Sequence, residues 1–243
     1  MSDGHRLAII GDGQMGRAID QMARAKGWEV VALIGMDGNE GGRGITRESL
    51  HNAEVAVEFS EPKAAAANVT ACLRANCPVV VGTTGWHDSL PDVEKIAGET
   101  GTPFLWASNF STGVNLFIEI ARRVGELLKG SLGFDAHILE THHAKKKDAP
   151  SGTAIAIERA VSETLGRSVP VTSVRTGSVP GTHQLTFDAE FEQIEITHTA
   201  RDRRVFADGA LHAAEWLIGR KGGGVYTMQD VLGIRRGGKE TRK

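Results

Sequence analysis

The segment Arg6-Leu-Ala-Ile-Ile-Gly-Asp-Gly-Gln-Met-Gly16 decides the fold of the first part of the chain. Its apolar run is typical of a buried parallel strand, and a helical pattern follows it. The intervening glycines fit G-x-G-x-x-G in the strand–turn–helix context that a dinucleotide site needs. Gly11 permits the tight turn, Gly13 lets the backbone approach a pyrophosphate, and Gly16 allows the helix to lie close to the strand.

Further apolar runs repeat along the first half of the chain, with helical patterns between most of them. Strands are predicted near 28–34, 55–59, 78–81 and 104–107. Strands that alternate with helices at this pitch predict an α/β domain with a doubly wound, Rossmann-type parallel sheet.

The pattern changes after residue 111. The predicted elements there are a helix over 111–130, a strand over 136–141, a helix over 151–165, and strands near 169–175, 183–188 and 191–199. Consecutive strands without helices between them favour a mixed or antiparallel sheet in an α+β domain. A helix over 204–219, a glycine turn and a tail follow. We therefore predict a dinucleotide-binding domain of 1–111 and 204–243, and a substrate-binding domain of 112–203.

Composition excludes several classes of protein. The chain has 243 residues, a net charge of -2, 40% hydrophobic and 24% charged residues, which disfavours both disorder and nucleic-acid binding. The apolar runs are too short to cross a membrane, and the N-terminal run is too short for a signal peptide. Two cysteines, Cys72 and Cys77, predict no disulfide framework, so the expected location is cytoplasmic.

Two later strand ends add to the predicted nucleotide site. Gly82-Thr83-Thr84 follows the fourth strand, and Ala107-Ser108-Asn109-Phe110 follows the fifth. Ligands of open α/β sheets bind at the carboxyl ends of strands, so these segments are placed to border a nicotinamide. Ordinary loop structure is the alternative interpretation.

The end of the second strand leaves the choice of nucleotide open. Many NAD sites have an acidic residue there for the ribose hydroxyls, but this chain has Ile34 and Gly35. Asp37 lies slightly beyond and could serve. No arginine stands at that point for a 2′-phosphate, although Arg43 and Arg47 follow in the loop.

The highest density of ionisable side chains lies in Glu140-Thr-His-His-Ala-Lys-Lys-Lys-Asp148, which leads into a helix start at Ser151-Gly152-Thr153. Backbone N–H groups at that start, with lysines beside them, suit a small dicarboxylate, and a nearby histidine can donate a proton. Asp148 is expected to cap the helix or orient a lysine. A solvated lysine face is the alternative. No metal is expected, because adjacent histidines of a strand point to opposite faces.

Long stretches of the sequence resemble the dihydrodipicolinate reductase (4-hydroxy-tetrahydrodipicolinate reductase) family. The stretches that carry the resemblance are 11–16, 81–85, 108–115, 140–153, 179–183, 194–198 and 206–210. The block at 140–153 is specific to this family, whereas the glycine motif is not.

The resemblance implies reduction of 4-hydroxy-tetrahydrodipicolinate to tetrahydrodipicolinate by NADH or NADPH, with loss of water, on the diaminopimelate route to lysine. It implies that His142 is the general acid and Lys146 the catalytic lysine beside the substrate. The implied substrate-binding residues are His143, Lys146, Ser151, Gly152 and Thr153. The implied cofactor-contacting segments contain Gly11, Asp12, Gly13, Gln14, Met15, Gly16, Gly82, Thr83, Thr84, Ala107, Ser108, Asn109 and Phe110. The family further implies a homotetramer that assembles through the sheets of the substrate domains.

The chain departs from the family at the end of the second strand, where the acidic residue is replaced and the loop is short. This departure is compatible with the use of both NADH and NADPH, or with a preference for NADPH. Whether the enzyme or the solvent dehydrates the substrate stays open. The alternatives are another nicotinamide-dependent dehydrogenase of an amino acid such as aspartate, a non-catalytic dinucleotide sensor, and a metal-dependent hydrolase.

Overall fold

The computed structural model describes residues 4–130 and 133–234, so the end of the predicted tail, residues 235–243, lies outside the described part. The chain divides into two compact units. The first unit comprises Met1–Phe110 and Phe206–Lys243, and the second unit comprises Ser111–Val205. Within the described ranges, no helix has the length and apolar character needed to cross a membrane.

The helices and strands of the described residues follow one another in this order: β1 (Arg6–Ile10), α1 (Gln14–Ala25), β2 (Glu29–Ile34), β3 (Val55–Glu58), α2 (Pro62–Arg74), β4 (Val79–Val81), α3 (Leu90–Thr100), β5 (Phe104–Trp106), α4 (Thr112–Leu128), β6 (Asp135–His142), α5 (Gly152–Leu165), β7 (Val171–Arg175), β8 (Thr182–Asp188), β9 (Gln193–Thr199), α6 (Arg204–Ile218), β10 (Val225–Tyr226) and α7 (Met228–Val231). Short 3₁₀ turns lie at Glu40–Gly42 and His87–Ser89.

The first unit contains a six-stranded parallel sheet in the order β10-β5-β4-β3-β1-β2. This confirms the predicted Rossmann-type sheet. The sequence prediction missed β10, which pairs with β5 through Val225 and Tyr226. Two residues after a run of glycines carry no periodic signal, and the pairing joins segments about 120 residues apart in sequence.

Strands β1, β3 and β4 are almost entirely buried on both faces, which explains their continuous apolar runs. Leu7 and Ile9 of β1 belong to one core with residues of α1 and α6. Ala8 and Ile10 point the other way, into a core with α2 and α3. All four side chains are fully buried, and β1 lies between β3 and β2, where its carboxyl end leads into the glycine turn. Cys72 and Cys77 are free and buried.

The second unit contains a four-stranded sheet in the order β7-β6-β8-β9. The β6–β7 pair is parallel and the other pairs are antiparallel, which confirms the predicted mixed sheet. One face is covered by α4 and α5, and its core contains Phe117, Ile138, Ile157, Leu185 and Phe187. Because side chains alternate along a strand, the even-numbered residues of β6 face this core, and its last two even positions are polar.

Candidate active site

The glycine turn after β1 has the geometry of a phosphate cradle. Gly11 has a φ of +104°, and a Cβ there would lie 2.1 Å from the carbonyl oxygen of Phe59. A Cβ on Gly16 would lie 1.9 Å from the carbonyl oxygen of Gly11, so only glycine lets α1 approach the turn this closely. Apart from its chain neighbours and the backbone of the first turn of α1, no atom of the described residues lies within 4 Å of the Cβ position of Gly13. The turn therefore leaves open space at the N-terminus of α1, which fits a dinucleotide phosphate.

Two cavities border this turn. The first is about 310 Å³ and is lined by Ile10, Gly11, Asp12, Gly13, Ile34, Gly35, Met36, Asn39, Phe59, Ser60, Glu61, Ala64 and Asn68. The second is about 460 Å³ and is lined by Gly13, Gln14, Met15, Phe59, Ser60, Pro62, Gly82, Thr83 and Thr84. The structure thus brings the glycine turn and the segment after β4 together, as parallel strands with adjacent carboxyl ends require.

The segment after β5 contributes less directly than the other two segments to the predicted nucleotide site. Phe110 is buried, and its ring packs on Phe59 with 5.7 Å between the ring centroids. The N–H of Ala107 donates to the carbonyl of Val81. None of the residues 107–110 lines either of these two cavities. Phe110 therefore supports Phe59, which lines both cavities.

A buried carboxyl group that sequence reasoning missed lies beneath the cavities. Glu58, at the end of β3, is fully buried and accepts hydrogen bonds from the Ser60 hydroxyl and from Asn68 Nδ2, the latter at 3.2 Å. The Ser60 N–H donates to Thr83 Oγ1 at 2.8 Å, and Asn39 Nδ2 donates to Asn68 Oδ1 at 3.0 Å. The network ties the ends of β3 and β4 to the loop after β2. Burial raises the pKa of Glu58, and its hydrogen bonds oppose this only in part.

We expect a Glu58→Gln variant to gain stability relative to the wild type as the pH rises. An acid whose folded-state pKa is raised contributes stability below its ordinary pKa and loses it as pH rises through the folded value. The amide mimics the protonated acid and does not titrate. Melting temperatures between about pH 5 and about pH 8 would measure the difference, at roughly 2–4 °C per kcal/mol.

The matched control is Glu94→Gln, because Glu94 is exposed on α3 and has the same charge. A constant difference between Glu58→Gln and the wild type over the whole pH range would contradict the prediction, as would the same trend in the control.

In the second unit, the polar end of β6 is built around Glu140. Its carboxylate is fully buried, and its Oε1 accepts hydrogen bonds from Ser151 N–H at 2.9 Å, Ser173 Oγ at 2.7 Å and Arg175 Nη2 at 2.8 Å. Burial acts to raise the pKa of Glu140. The bonds from Ser151, Arg175 and Ser173 outweigh it and hold the pKa at about 2. Glu140 is therefore a fixed negative charge at neutral pH.

His142 lies next to this charge. Its Nδ1 is 3.0 Å from Glu140 Oε2, and its side chain is 10% exposed. Its Nε2 lies 3.0 Å from the position that a Cβ on Gly181 would take, so the absence of a side chain there leaves space beside that nitrogen. Burial lowers the pKa of His142. Glu140 raises it, and the cationic Lys146 and Arg175 lower it further.

The three lysines of the run differ in exposure, and the middle one is half-buried. Lys145 and Lys147 are exposed, whereas Lys146 is 23% exposed and its Nζ lies 2.9 Å from Asp148 Oδ1. Asp148 therefore orients a lysine, which was one of its two predicted roles, while Ser151 caps α5. Arg203 Nη2 lies 3.5 Å from His143 Nε2 and adds a further cation to this surface.

Ser151 requires a correction. Its N–H was expected to form part of an open anion site at the start of α5, but it donates to Glu140. Its hydroxyl accepts from the Ala154 N–H and lies 3.2 Å from His183 Nε2, and the residue is 2% exposed. The reason is that β6 places Glu140 directly beneath the first turn of α5. Ser151, one of the three predicted helix-start residues, therefore supports the site by holding the carboxylate of Glu140.

Arg175 and His183 are the residues of this cluster that sequence reasoning missed. Strand pairing places both residues in the cluster, because Arg175 of β7 pairs with His142 and His183 of β8 pairs with Glu140. Burial lowers the pKa of His183 to about 4, helped by the nearby His142. The sequence signal was the histidine that ends Val179-Pro-Gly-Thr-His183, which was noted only as part of the resemblance.

The same cluster is the group of described residues best arranged to hold a metal ion. Glu140, His142 and His183 offer ligand atoms within 4.8 Å of one another. Arg175 already donates to Glu140, so its guanidinium competes with any metal ion for that carboxylate. We assign no metal to the cluster.

Comparison with known proteins identifies the family. Residues 5–110 match the family described as "Dihydrodipicolinate reductase, N-terminus", and residues 113–232 match "Dihydrodipicolinate reductase, C-terminus". This chain belongs to the dihydrodipicolinate reductase family. The match covers both units, so the glycine turn and the Glu140 cluster both lie in segments that the family shares.

Individual relatives agree with this assignment. A 4-hydroxy-tetrahydrodipicolinate reductase of Christiangramia forsetii is 36% identical over 240 residues, covering 93% of this chain and 97% of that protein. One of Alkalilimnicola ehrlichii is also 36% identical, covering 94% and 99%. Among solved structures, the dipicolinate-bound dihydrodipicolinate reductase of Paenisporosarcina sp. TG-14 has a TM-score of 0.78 at 23% identity, covering 94% of this chain and 100% of that one. The last comparison supports the fold.

Proposed function

We propose that this chain reduces 4-hydroxy-tetrahydrodipicolinate to tetrahydrodipicolinate, the reaction by which its curated relatives are named. One hydride from NADH or NADPH and one proton are added, one water is lost, and NAD⁺ or NADP⁺ is released. The reaction belongs to the diaminopimelate route of lysine biosynthesis.

The observation that carries the proposal is the pair formed by His142 and the buried carboxylate of Glu140, with Lys146 nearby. A dicarboxylate needs cations, and reduction of a C=N bond needs a proton donor. The cluster offers both, because Lys146 and Arg203 supply positive charge and His142 supplies a titratable proton. The Paenisporosarcina reductase is described with dipicolinate, itself a dicarboxylate, bound to it.

We assign His142 as the general acid, with the negative charge of Glu140 3.0 Å from its Nδ1 and with Nε2 as the atom that carries the transferred proton. Lys146 is assigned to the substrate, beside the reacting bond. His143 and the helix-start residues Gly152 and Thr153 are assigned to the substrate carboxylates. Ser151 is assigned to the support of Glu140 rather than to the substrate.

In this proposal the bound substrate raises the pKa of the general acid, His142. In the free protein the pKa of His142 is lowered, chiefly by burial. A bound dicarboxylate brings negative charge that offsets Lys146 and Arg175, so the pKa of His142 rises and the ring becomes protonated when substrate is present.

The first unit is assigned to the nucleotide. The turn at 11–16 fits the pyrophosphate, and residues 82–84 and 107–110 are assigned to the remainder of the cofactor. When bound, the reduced nicotinamide supplies the hydride. This division gives the hydride donor to one unit and the proton donor to the other.

We also propose a homotetramer and a cytoplasmic location, both of which come from the family resemblance. Apolar side chains at the edge of the second unit's sheet support an assembly surface. Phe191 is 89% exposed and Ile194 on β9 is 38% exposed. An unpaired edge strand flanked by exposed apolar side chains can pair with, and pack against, a second copy of the chain.

The proposal is tested by following the absorbance of NADH and NADPH with freshly prepared 4-hydroxy-tetrahydrodipicolinate. We expect oxidation of the reduced nucleotide in equal amount with product, and no reduction of NAD⁺ or NADP⁺ by aspartate. Binding of the nucleotides without turnover of this substrate would contradict the proposal and favour a sensor. Turnover of aspartate would favour an amino-acid dehydrogenase.

A further inference from the structure

The structure assigns Asp12 as the residue that selects NADH over NADPH, an inference that rests on the proposed function. Its carboxylate takes the position of the acidic side chain that the end of β2 lacks. The ligand chemistry concerned is the adenosine ribose, whose 2′-hydroxyl is free in NADH and phosphorylated in NADPH.

The carboxylate of Asp12 lies against Gly35. A Cβ on Gly35 would lie 3.1 Å from both Cγ and Oδ2 of Asp12 and 3.4 Å from Oδ1. Asp12 therefore lies over the first residue after β2, where the side chain of an acidic residue would begin. Gly35 permits this close approach, because a Cβ there would require the carboxylate to shift by a few tenths of an ångström.

Asp12 also lines the 310 Å³ cavity beside the glycine turn. Its apolar walls include Ile34 and Met36, and its two ionisable lining residues, Asp12 and Glu61, are both acidic. Neither lysine nor arginine is among the lining residues, and the described residues provide no ion-pair partner for Asp12. A 2′-phosphate in this cavity would meet negative charge without a compensating cation.

The other charged residues that the sequence suggested for the ribose do not line this cavity. Asp37 is exposed and does not line the cavity. Arg43 and Arg47 line a separate groove with Arg74, and Arg43 forms an ion pair with Glu40 at 3.1 Å. The loop after β2 thus carries its arginines away from the ribose position, so the departure from the family favours NADH rather than NADPH.

Arg17 is the cation nearest to the turn in sequence. Its Nε donates to the backbone carbonyl of Asp12 at 3.0 Å, and Arg17 lines neither cavity. It therefore braces the backbone of the turn and leaves the carboxylate of Asp12 free to accept from ribose hydroxyls.

The test compares binding of ADP-ribose and 2′-phospho-ADP-ribose by calorimetry, together with kcat/KM for NADH and NADPH. We expect the wild type to favour the unphosphorylated form by roughly tenfold or more, and added salt to reduce this preference. Asp12→Asn should bring the ratio of the two affinities close to one, mainly by improving binding of the phosphorylated form. The matched control, Asp37→Asn, should leave the ratio unchanged.

The outcomes separate this inference from the proposed function. Equal or tighter binding of the phosphorylated form by the wild type would overturn the role of Asp12 and leave the reductase proposal standing. The same conclusion would follow if Asp12→Asn left the ratio unchanged, or if Asp37→Asn shifted it. Binding of neither form would overturn the dinucleotide site, and with it both proposals. Because the calorimetric readout needs no substrate, it does not depend on turnover.

Discussion

Replacing His142 by alanine is expected to lower kcat by about 10²–10⁴-fold and to leave the affinity for the reduced nucleotide unchanged. The reason is that the variant loses the proton donor of the second unit, whereas the glycine turn belongs to the first unit. Steady-state kinetics and nucleotide titration of the purified protein measure the two quantities. His137→Ala is the matched control, because His137 lies on the same strand and is exposed. A loss below tenfold would contradict the assignment.

The pH dependence of the wild type gives a second test of the same residue. A general acid must be protonated, so activity falls as pH rises through its pKa. The kcat/KM profile reports the free enzyme, in which burial lowers the pKa of His142, so its decline should begin below the usual histidine range. The kcat profile reports the complex, and its decline should occur at higher pH because the substrate is anionic. An identical decline in both profiles would contradict the proposed effect of the substrate.

Replacing Glu140 by glutamine is expected to destabilise the protein by about 3–5 kcal/mol at neutral pH, since it leaves the charge of Arg175, whose side chain is only 17% exposed, without its carboxylate. Linkage gives a similar figure. A pKa of about 2 against an ordinary value of 4.5 corresponds to roughly 3 kcal/mol. A depressed carboxylate pKa contributes stability above its ordinary value and loses it as pH falls toward 2. The melting temperature should therefore drop by roughly 6–20 °C at neutral pH and converge with the wild type in acid.

Kinetics distinguish the positioning role of Glu140 from a purely structural one. Glu140 raises the pKa of His142, so Glu140→Gln should move the decline of kcat/KM to lower pH. Ser173→Ala is the milder control, because it removes one hydrogen bond from the same carboxylate, at a cost of about 1 kcal/mol, and keeps the charge. It should fold even if Glu140→Gln does not, and it should leave the pH profile nearly unchanged. An unshifted profile in a folded Glu140→Gln variant would refute the positioning role.

Much of the fold could be predicted because its signals are local. The parallel strands of the first unit are apolar runs that end in glycine or polar turns. Strands that alternate with helices commonly fold into a parallel sheet covered by helices on both faces. The mixed sheet of the second unit followed from strands without helices between them. By contrast, β10 is held in place by pairing with β5, and nothing within its own two residues indicates it.

The candidate site was predicted where its residues lie close together in sequence and missed where they do not. The block from Glu140 to Thr153 placed His142 and Lys146 beside a helix start. Arg175 and His183 enter through strand pairing, which the sequence does not reveal. Glu58 was missed for a related reason, since a single acid at the end of an apolar strand gives no sign that it will be buried.

The sequence by itself determined which elements form and which short motifs begin their helices, because backbone sterics, side-chain alternation and glycine conformations act over a few residues. Tertiary structure alone decided what each polar group contacts. It turned the Ser151 N–H toward Glu140, brought the carboxylate of Asp12 over Gly35, and carried Arg43 and Arg47 into a different groove. Charge and hydrogen bonding depend on distances of a few ångströms between segments far apart in sequence, and only the folded chain fixes those distances.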